Sequence, residues 1–437
     1  MRKNLFKKVL ALTLASTMAF SMAGCGSKGG SSDAKNDDGT ITLNVWHQWS
    51  NDTNELKGKY EEAVKAYEKE NSGVKIKTET LDTEAYKTKI NAEFAGDAKG
   101  IDVFYWWGAG TAKKLVDAGK VMALDDYVTD DVKSKILEGS TSAFEFDGKL
   151  YSVPMFSWYM TLFCNKTMFD KAGATLPTTY DELVDAVKKL KKLDGVTPMA
   201  AGAKDGWNAA FVYQALALRE VGATGVNEML SGKKEFGDEG FKKAAQKVSD
   251  LYEMGAFGDN ALEQGNDDAN AAFENGKAAM RLMGSWFANN VYTDDAATIK
   301  PEEVVALKIP TIADGKGEAT DYCGGFVESF WVNNNTKYKE EAAKFCIYIN
   351  EKMGVASYET GSGFSGWTTP ADESNLNPLF IQIKDLLAEG KQGVLAWDTS
   401  LESEPAAVHN EQVQTLFADG ADIDAFIDEH KAAINGK

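Results

Sequence analysis

The feature that most constrains the fold is an alternation of strand and helix patterns that begins at residue 41. From Ile41 to Val45, apolar residues alternate with polar ones, as they do in a strand with one buried face. Residues 56–67 then carry Leu, Tyr and Val at helical spacing, and residues 74–78 alternate again. A further helical segment leads to the apolar run 101–107. This order predicts an α/β fold, with parallel strands covered by helices on both faces.

A second α/β unit is expected after residue 154. The segment 148–154 (GKLYSVP) interrupts the pattern, and a long strand-like run follows from Phe156 to Cys164. We place the first crossover between two units there. Thr179 and Glu182 have the spacing of a capping box, so a helix is expected to begin at this point of the second unit.

Two more crossovers are expected, at residues 276–284 and 324–331. Three crossovers would build each lobe from two separate stretches and define the hinge better than a single linker would. The predicted N-terminal lobe comprises residues 40–153 plus 284–326, and the predicted C-terminal lobe comprises residues 154–283 plus 327–437.

Residues 1–25 are interpreted as a targeting segment. Four basic residues precede an apolar run from Val9 to Met22, which is too short to span a bilayer stably, and small residues lead to Cys25. This resembles a bacterial lipobox, with Met22 where the usual pattern has Leu, and implies lipid attachment at Cys25. An ordinary cleaved signal with a chance cysteine is the alternative. Residues 26–39, rich in Gly, Ser and Asp, are expected to form a flexible tether.

The charge of the chain argues against nucleic acid as a partner. The formal net charge is −19, and residues 1–25 contribute only positive charge, so the remainder is more acidic still. Such a surface would repel phosphate backbones. No later segment has the character of a membrane span, so membrane contact is expected only through the lipid anchor.

Three cysteines follow Cys25 in the sequence. Cys164, Cys323 and Cys346 lie in apolar segments, and we interpret them as small buried hydrophobic residues. One disulfide among them is the alternative in an oxidising compartment.

Tryptophans gather where predicted strands end or where the chain changes units. Ligands of open α/β sheets bind beyond the carboxyl ends of the strands, so this edge is the predicted site. The candidate tryptophans are Trp46, Trp49, Trp106, Trp107, Trp158, Trp207, Trp286, Trp367 and Trp397. Each one taken alone could equally close the edge of a domain, and the cluster carries the prediction. Trp331, between Phe330 and Val332, is assigned to the core.

Indole rings combined with polar side chains suit a carbohydrate ligand. A sugar ring has apolar C–H faces, which flat indoles cover, and a rim of hydroxyl groups that polar side chains bind. The candidate polar partners are His47, Gln48, Asp205 and Asp398.

The sequence offers little support for a catalytic function. His47, His409 and His430 do not have zinc-ligand spacing, and no Gly-x-Ser-x-Gly elbow occurs. Residues 361–366 match Gly-x-Gly-x-x-Gly, but Trp-Thr-Thr-Pro follows where a helix should start, which favours a surface loop or a cleft-lining turn. We therefore expect no catalytic residue, metal or cofactor, although a carboxylate pair for glycoside hydrolysis stays open.

Several motifs together suggest a family. They are residues 108–121 (GAGTAKKLVDAGKV), 148–154, 165–173 (NKTMFDKAG), 177–183 (PTTYDEL), 273–286 (FENGKAAMRLMGSW) and the pair Gly324-Gly325. From residue 41 almost to the C-terminus, the sequence resembles the family 1 extracellular solute-binding proteins, the sugar-binding subunits of ABC importers. Residues 108–121 are similar to the multiple-sugar and raffinose-type branch.

The resemblance implies a two-lobed periplasmic-binding-protein type II fold with three interdomain crossovers. It implies hinge closure around a ligand, no catalysis, and delivery to membrane permease subunits. Matching motifs place ligand contacts at residues 46–49, 106–107, 207, 286 and 397–398. The doubled Trp106-Trp107 is not fixed in the family and favours several stacked rings, hence an oligosaccharide.

The expected protein is a monomer, lipid-anchored at the extracellular face of the bacterial membrane. Two alternatives stay open. One is a secreted carbohydrate-active enzyme, and the other is a binding protein for a non-sugar solute, such as a peptide or a glycerophosphodiester.

Overall fold

The computed structural model describes residues 39–51, 54–293 and 297–436. The predicted signal peptide with Cys25, and the predicted tether up to residue 38, lie outside the described residues. Within these ranges, no helix combines the length and the apolar character that crossing a bilayer requires.

Strands and helices alternate along most of the chain. The first elements are β1 (Ile41–His47), α1 (Glu55–Glu70), β2 (Val74–Thr80), α2 (Thr83–Ala95), β3 (Val103–Trp107), α3 (Ala109–Asp117), α4 (Asp130–Lys135), β4 (Glu145–Phe146), β5 (Lys149–Leu150) and β6 (Phe156–Asn165). Next come α5 (Lys166–Ala172), α6 (Tyr180–Leu190), β7 (Thr197–Ala200), α7 (Gly206–Leu230), α8 (Glu239–Glu253), α9 (Asn266–Glu274), β8 (Ala278–Gly284), α10 (Phe287–Thr293), β9 (Val304–Leu307) and β10 (Asp321–Val332). The last elements are α11 (Lys339–Glu359), β11 (Phe364–Ser365), α12 (Pro378–Ala388), β12 (Gln392–Val394), α13 (Trp397–Ser400), α14 (Ser403–Thr415) and α15 (Ile423–Asn435).

The longest sheet has the strand order β2-β1-β3-β10-β6-β8-β7. β1 pairs parallel with both β2 and β3, as the sequence predicts. β7 and β8 are also parallel, whereas β10 lies antiparallel to β3 and β6. The short strands β9 and β11 pair with β6, and β12 pairs with β10. The predicted α/β fold class is confirmed.

The predicted capping box at the start of α6 is confirmed. The Thr179 hydroxyl accepts the backbone N–H of Glu182 at 3.3 Å, and the Glu182 carboxylate accepts the backbone N–H of Thr179 at 3.2 Å. These bonds satisfy N–H groups that have no partner inside the helix, so the sequence alone marks where α6 begins.

Buried apolar side chains form two separate cores. The first core takes residues from 43–156 and from 330–367. The second core takes residues from 158–309, Cys323 and residues from 376–427. Trp331 is fully buried in the first core, as predicted. The three described cysteines are buried free thiols, in agreement with the interpretation as small hydrophobic residues.

The chain passes between the cores three times, but not at all the predicted places. The crossings are in β6, in β10 and between Trp367 and Leu376. The crossings predicted after residue 154 and at residues 324–331 correspond to the first two. Residues 276–284, where another was predicted, contain β8, whose residues all lie in the second core or are buried beside it.

The packing therefore divides the chain differently from the predicted lobe boundaries. Fully buried apolar residues of the segment 284–326 join the second core, whereas those of residues 330–367 join the first. The partly buried Tyr358 and Phe364 pack against the second core, and Phe326 packs against the first. The physical reason is that β8 is buried along its whole length. Apart from Arg281, its residues are apolar or glycine on both faces, and such a strand gives no sequence signal of the core that it joins.

The two central strands approach each other closely where they pass between the cores. Gly324 and Gly325 have φ values of 137° and 152°, and a Cβ atom on Gly324 would lie 2.0 Å from the carbonyl oxygen of Trp158. The register of β10 against β6 shifts between Phe326 and Glu328, as in a β-bulge. This geometry requires glycine, because a side chain would collide with the neighbouring backbone.

Candidate functional site

A cleft of about 1150 Å³ lies between elements of the two cores. Its volume exceeds the roughly 300–1,000 Å³ of a typical small-molecule site, which leaves room for more than one ring. We call the side formed by α2, β3 and the loop after β1 the first wall. The second wall is the side formed by Trp158 of β6, by α7, α9, α13 and α14, and by the segment after β8. Predicted site residues that line the cleft are Gln48, Trp49, Trp106, Trp107, Trp158, Trp207, Trp286 and Asp398.

Strand ends position the first wall. β1 and β3 are parallel neighbours, so their carboxyl ends meet at one edge of the sheet. Gln48 and Trp49 follow β1 directly, and Trp106 and Trp107 end β3. The two indoles of β3 contact each other at a centroid distance of 5.5 Å and an angle of 65°. The edge predicted from the sequence is therefore the edge that faces the cleft.

Aromatic rings in mutual contact form much of the second wall. Trp158 stacks on Phe211 at a centroid distance of 5.3 Å and meets Trp286 edge to face at 5.1 Å. Trp207 meets the other side of this group through Phe211, at 5.3 Å. Trp207 and Trp286 are half-buried, as Trp107 is on the first wall. Each wall thus offers partly open indole surface to the space between them.

Lys87 of α2 reaches across the cleft. Its Nζ lies 5.2 Å from the ring centroid of Trp107 and 5.7 Å from that of Trp207, one on each wall. The same atom lies 3.0 Å from Glu84 Oε1. Burial raises the pKa of Asp398 on the second wall, and the positive charge of Lys87 opposes this shift.

Several polar atoms in the cleft are buried but have no hydrogen-bond partner among the described residues. They are Gln48 Oε1, Trp207 Nε1, Glu328 Oε2 and Asn410 Oδ1. Buried polar groups in proteins are nearly always paired, because an unpaired group costs about 1–3 kcal/mol. These atoms come from both walls and from the crossing strand β10, and their residues all line the cleft.

Acidic side chains outnumber basic ones around the cleft. The acidic lining residues are Glu55, Asp82, Asp267, Glu274, Glu328 and Asp398, and the basic ones are Lys87, Lys114 and Lys120. This balance disfavours an anionic ligand.

Three predicted site residues lie in the first core instead of lining the cleft. His47 is 1% exposed, and its ring packs 4.2 Å from that of Tyr60. Its Nδ1 accepts the backbone N–H of Trp49 at 3.2 Å. His47 therefore holds the backbone of the first wall in place from the core side. Trp46 is also buried, and the Trp367 indole donates to the Pro154 carbonyl at 2.7 Å.

Two further predicted residues support the second wall without lining the cleft. Trp397 is 1% exposed and stacks on His409 at a centroid distance of 5.0 Å. Asp205 accepts the backbone N–H of Asn266 at 2.6 Å and thus satisfies the first turn of α9. The sequence places both residues near strand or helix ends but cannot reveal which way their side chains point.

Sequence reasoning missed other lining residues, notably Lys87, Phe211, Glu328 and Asn410. Lys87 and Asn410 lie on helices where such residues are common on any surface, so no signal marks them. Glu328 belongs to the strand-like Val-Glu-Ser-Phe-Trp-Val run, where a carboxylate in an apolar stretch could have been noticed. Ser362, in the Gly-x-Gly-x-x-Gly segment, lines the cleft, and no helix begins there before α12.

The fold and the cleft define a class of protein, in which two α/β halves joined by crossing strands enclose a ligand between them. The family model of bacterial extracellular solute-binding proteins matches residues 50–355, well over half of the chain. The chain belongs to this family. The predictions of the family and of an extracellular solute-binding function are confirmed.

Relatives and solved structures agree with this assignment. A multiple sugar-binding protein of Streptococcus mutans is 24% identical over 368 residues, which cover 81% of this chain and 80% of that protein. A structure reported for xylan utilisation by Caldanaerobius polysaccharolyticus is 36% identical, with a TM-score of 0.85, and the match covers 90% of this chain and 99% of the other. A chitin oligosaccharide binding protein shares the fold, with a TM-score of 0.81 at 21% identity over 91% of this chain and 98% of the other.

Proposed function

We propose that this protein captures a neutral oligosaccharide in the cleft and delivers it to the membrane permease of an ABC importer. The observation that carries the proposal is the pairing of partly open indoles on both walls with buried, unpartnered polar atoms between them. Indoles can cover the C–H faces of sugar rings, and the polar atoms can bind the hydroxyl groups.

Closure follows from the distribution of these groups. Gln48 and Glu328 belong to elements that carry the first core or cross between cores, whereas Trp207 and Asn410 belong to the second wall. A sugar that bonds one wall leaves hydroxyl groups directed at the other. The closed arrangement then gains contacts that the open one lacks, so the ligand favours closure about β6 and β10.

The charge of the cleft and the names of the relatives both limit the class of ligand. The acidic lining favours a neutral sugar over a sugar acid or a phosphodiester. The similar protein of Streptococcus mutans is named for multiple sugars, and the structure at 36% identity was studied for xylan utilisation. A xylo-oligosaccharide is therefore our first candidate, and the cleft volume favours several rings over one.

Several attributes of the protein belong to the same proposal. We infer that it is a monomer without catalytic activity, held by a lipid at Cys25 on the extracellular face of the membrane. The support is the family, together with the lipobox-like sequence before Cys25.

Thermal unfolding in the presence of defined sugars tests the proposal. The panel contains xylose, xylo-oligosaccharides of increasing length, and chito- and malto-oligosaccharides. A ligand at about 100 times its Kd stabilises the folded state by about 2.7 kcal/mol, so a true ligand raises Tm measurably. Xylo-oligosaccharides should raise Tm more than xylose does.

Calorimetry and product analysis complete the test. A response to no sugar, combined with binding of a peptide or a phosphodiester, would overturn the sugar assignment. Release of shortened products during incubation would instead indicate an enzyme.

A further inference from the structure

Glu328 is the most unusual polar residue of the cleft. It lies on β10 at the point where this strand passes from one core to the other, directly after the register shift. Its Cα pairs with that of Trp107 on β3 and with that of Phe156 on β6, and both of these residues also line the cleft. Glu328 therefore sits at the base of the cleft, between the two walls.

The carboxyl group of Glu328 is buried, and one of its two oxygens lacks a partner. The residue is 7% exposed, and its Oε2 has no hydrogen-bond partner among the described residues. None of the ion pairs in the described part of the chain involves it. A buried carboxylate with no cation beside it is strongly disfavoured, so the neutral acid is the form that this position tolerates.

The surroundings of Glu328 agree with this view. Burial raises the pKa of Glu328 to about 8, and the nearby Tyr105 hydroxyl and Trp107 indole oppose the rise. The pKa of Tyr105 is itself raised well above its ordinary value, chiefly by burial. His47 on β1 stays neutral near pH 8, because burial lowers its pKa to about 3. Lys87 of α2 and Asp398 of α13 are among the charged residues that line the same cleft.

We propose that Glu328 is a ligand contact at the base of the cleft, and that it binds the sugar as the neutral acid by donating its O–H to a sugar oxygen. A protonated carboxyl offers one donor and keeps one acceptor, whereas a carboxylate only accepts. Proton loss would remove the donor and leave a buried charge against the sugar. The inference rests on the proposed oligosaccharide ligand and names one of its polar contacts.

The test measures the affinity for xylotetraose as a function of pH. The wild type should bind about tenfold more weakly at about pH 9 than at about pH 7, because the neutral form becomes the minor one. Glu328→Gln keeps a donor and cannot ionise, so it should bind a few-fold more weakly at pH 7 but with a flat pH profile. Glu328→Ala should lose more than tenfold at pH 7. Glu61→Gln, an exposed carboxylate of α1, is the matched control and should follow the wild type.

A titration without ligand separates this inference from the proposed function. Tryptophan fluorescence of the ligand-free wild type should change with a midpoint near pH 8, and Glu328→Gln should lack this transition. Identical pH profiles of the wild type and Glu328→Gln, or tight binding by Glu328→Ala, would overturn the role of Glu328. Failure of the wild type to bind xylotetraose, with the fluorescence transition intact, would instead overturn the proposed ligand.

Discussion

The interior around Trp397 and the cleft around Trp207 contain similar residues but differ in how their polar atoms are used. In the interior, Gln214 contacts His409 at 3.0 Å, His409 contacts His430 at 2.9 Å, and His430 bonds the Phe426 carbonyl at 2.8 Å. In the cleft, the Trp207 indole N–H has no partner within the described part of the chain. The interior pairs its polar atoms as folded, whereas the cleft keeps buried polar atoms without a partner among the described residues.

This comparison predicts that Trp397→Ala acts on stability. The indole is 1% exposed, and its loss leaves a large cavity in the second core. We expect the free energy of unfolding to fall by about 3–5 kcal/mol, measured by urea unfolding. Trp397→Phe should cost less. A loss no greater than that caused by Trp207→Ala would contradict the distinction between the two regions.

Low pH should lower the stability of the interior around Trp397, because the histidines there are buried in the neutral form. The pKa of His430 is lowered to about 4 and that of His409 lies well below its usual value, in both cases mainly because of burial. The unfolded chain binds these protons near pH 6.5, so the free energy of unfolding should fall as the pH drops from about 6.5 towards 4. His430 alone accounts for a loss on the order of 3 kcal/mol.

Urea unfolding at several pH values measures this effect. His430→Gln should reduce the dependence on pH while costing stability at pH 7. An unchanged pH dependence in this variant would show that His430 is not buried in the neutral form.

Trp207→Ala should act on binding. The ring is half-buried and covers part of the second wall, so its loss should weaken oligosaccharide binding about ten- to hundredfold, or about 1.4–2.8 kcal/mol. The free energy of unfolding should stay nearly unchanged. Calorimetric titration measures the affinity, with Trp207→Phe as the control that keeps an aromatic face. Loss of the fold without selective loss of binding would assign Trp207 to the interior.

Asn410→Ala is expected to have the smallest effect. Its Oδ1 is buried and unpartnered without ligand, so the variant should be as stable as the wild type or slightly more stable. Sugar affinity should fall only a few-fold, corresponding to the loss of about 0.5–1.5 kcal/mol for one hydrogen bond. A clear loss of stability would mean that Asn410 already has a partner and does not await a ligand.

Much of the fold could be predicted from local patterns. The alternation from residue 41 onwards predicted parallel strands, and the spacing of Thr179 and Glu182 predicted the start of α6. The lobe boundaries could not be predicted equally well. Apart from Arg281, β8 has apolar residues or glycine on both faces, so its sequence is compatible with either core. The third crossing lies after Trp367 instead.

The candidate site was predicted at the level of the sheet edge and not of the single side chain. Tryptophans at strand ends predicted the edge of the sheet that faces the cleft, because the carboxyl ends of parallel strands meet at one edge. Trp46 lies near the end of β1 and Trp397 lies shortly after β12, yet both belong to the cores, as Trp367 does. Whether an indole faces a core or a cleft depends on elements far away in the chain.

The sequence by itself determined the class of fold, the family and the edge of the sheet where ligands bind, because these depend on periodicity, on motifs and on the direction of parallel strands. The tertiary structure alone decided which indoles stay partly open, which core receives residues 284–326, and which polar atoms stay unpaired. Burial and hydrogen bonding depend on contacts between residues that are distant in sequence. Glu328 is buried because its strand lies between β3 and β6.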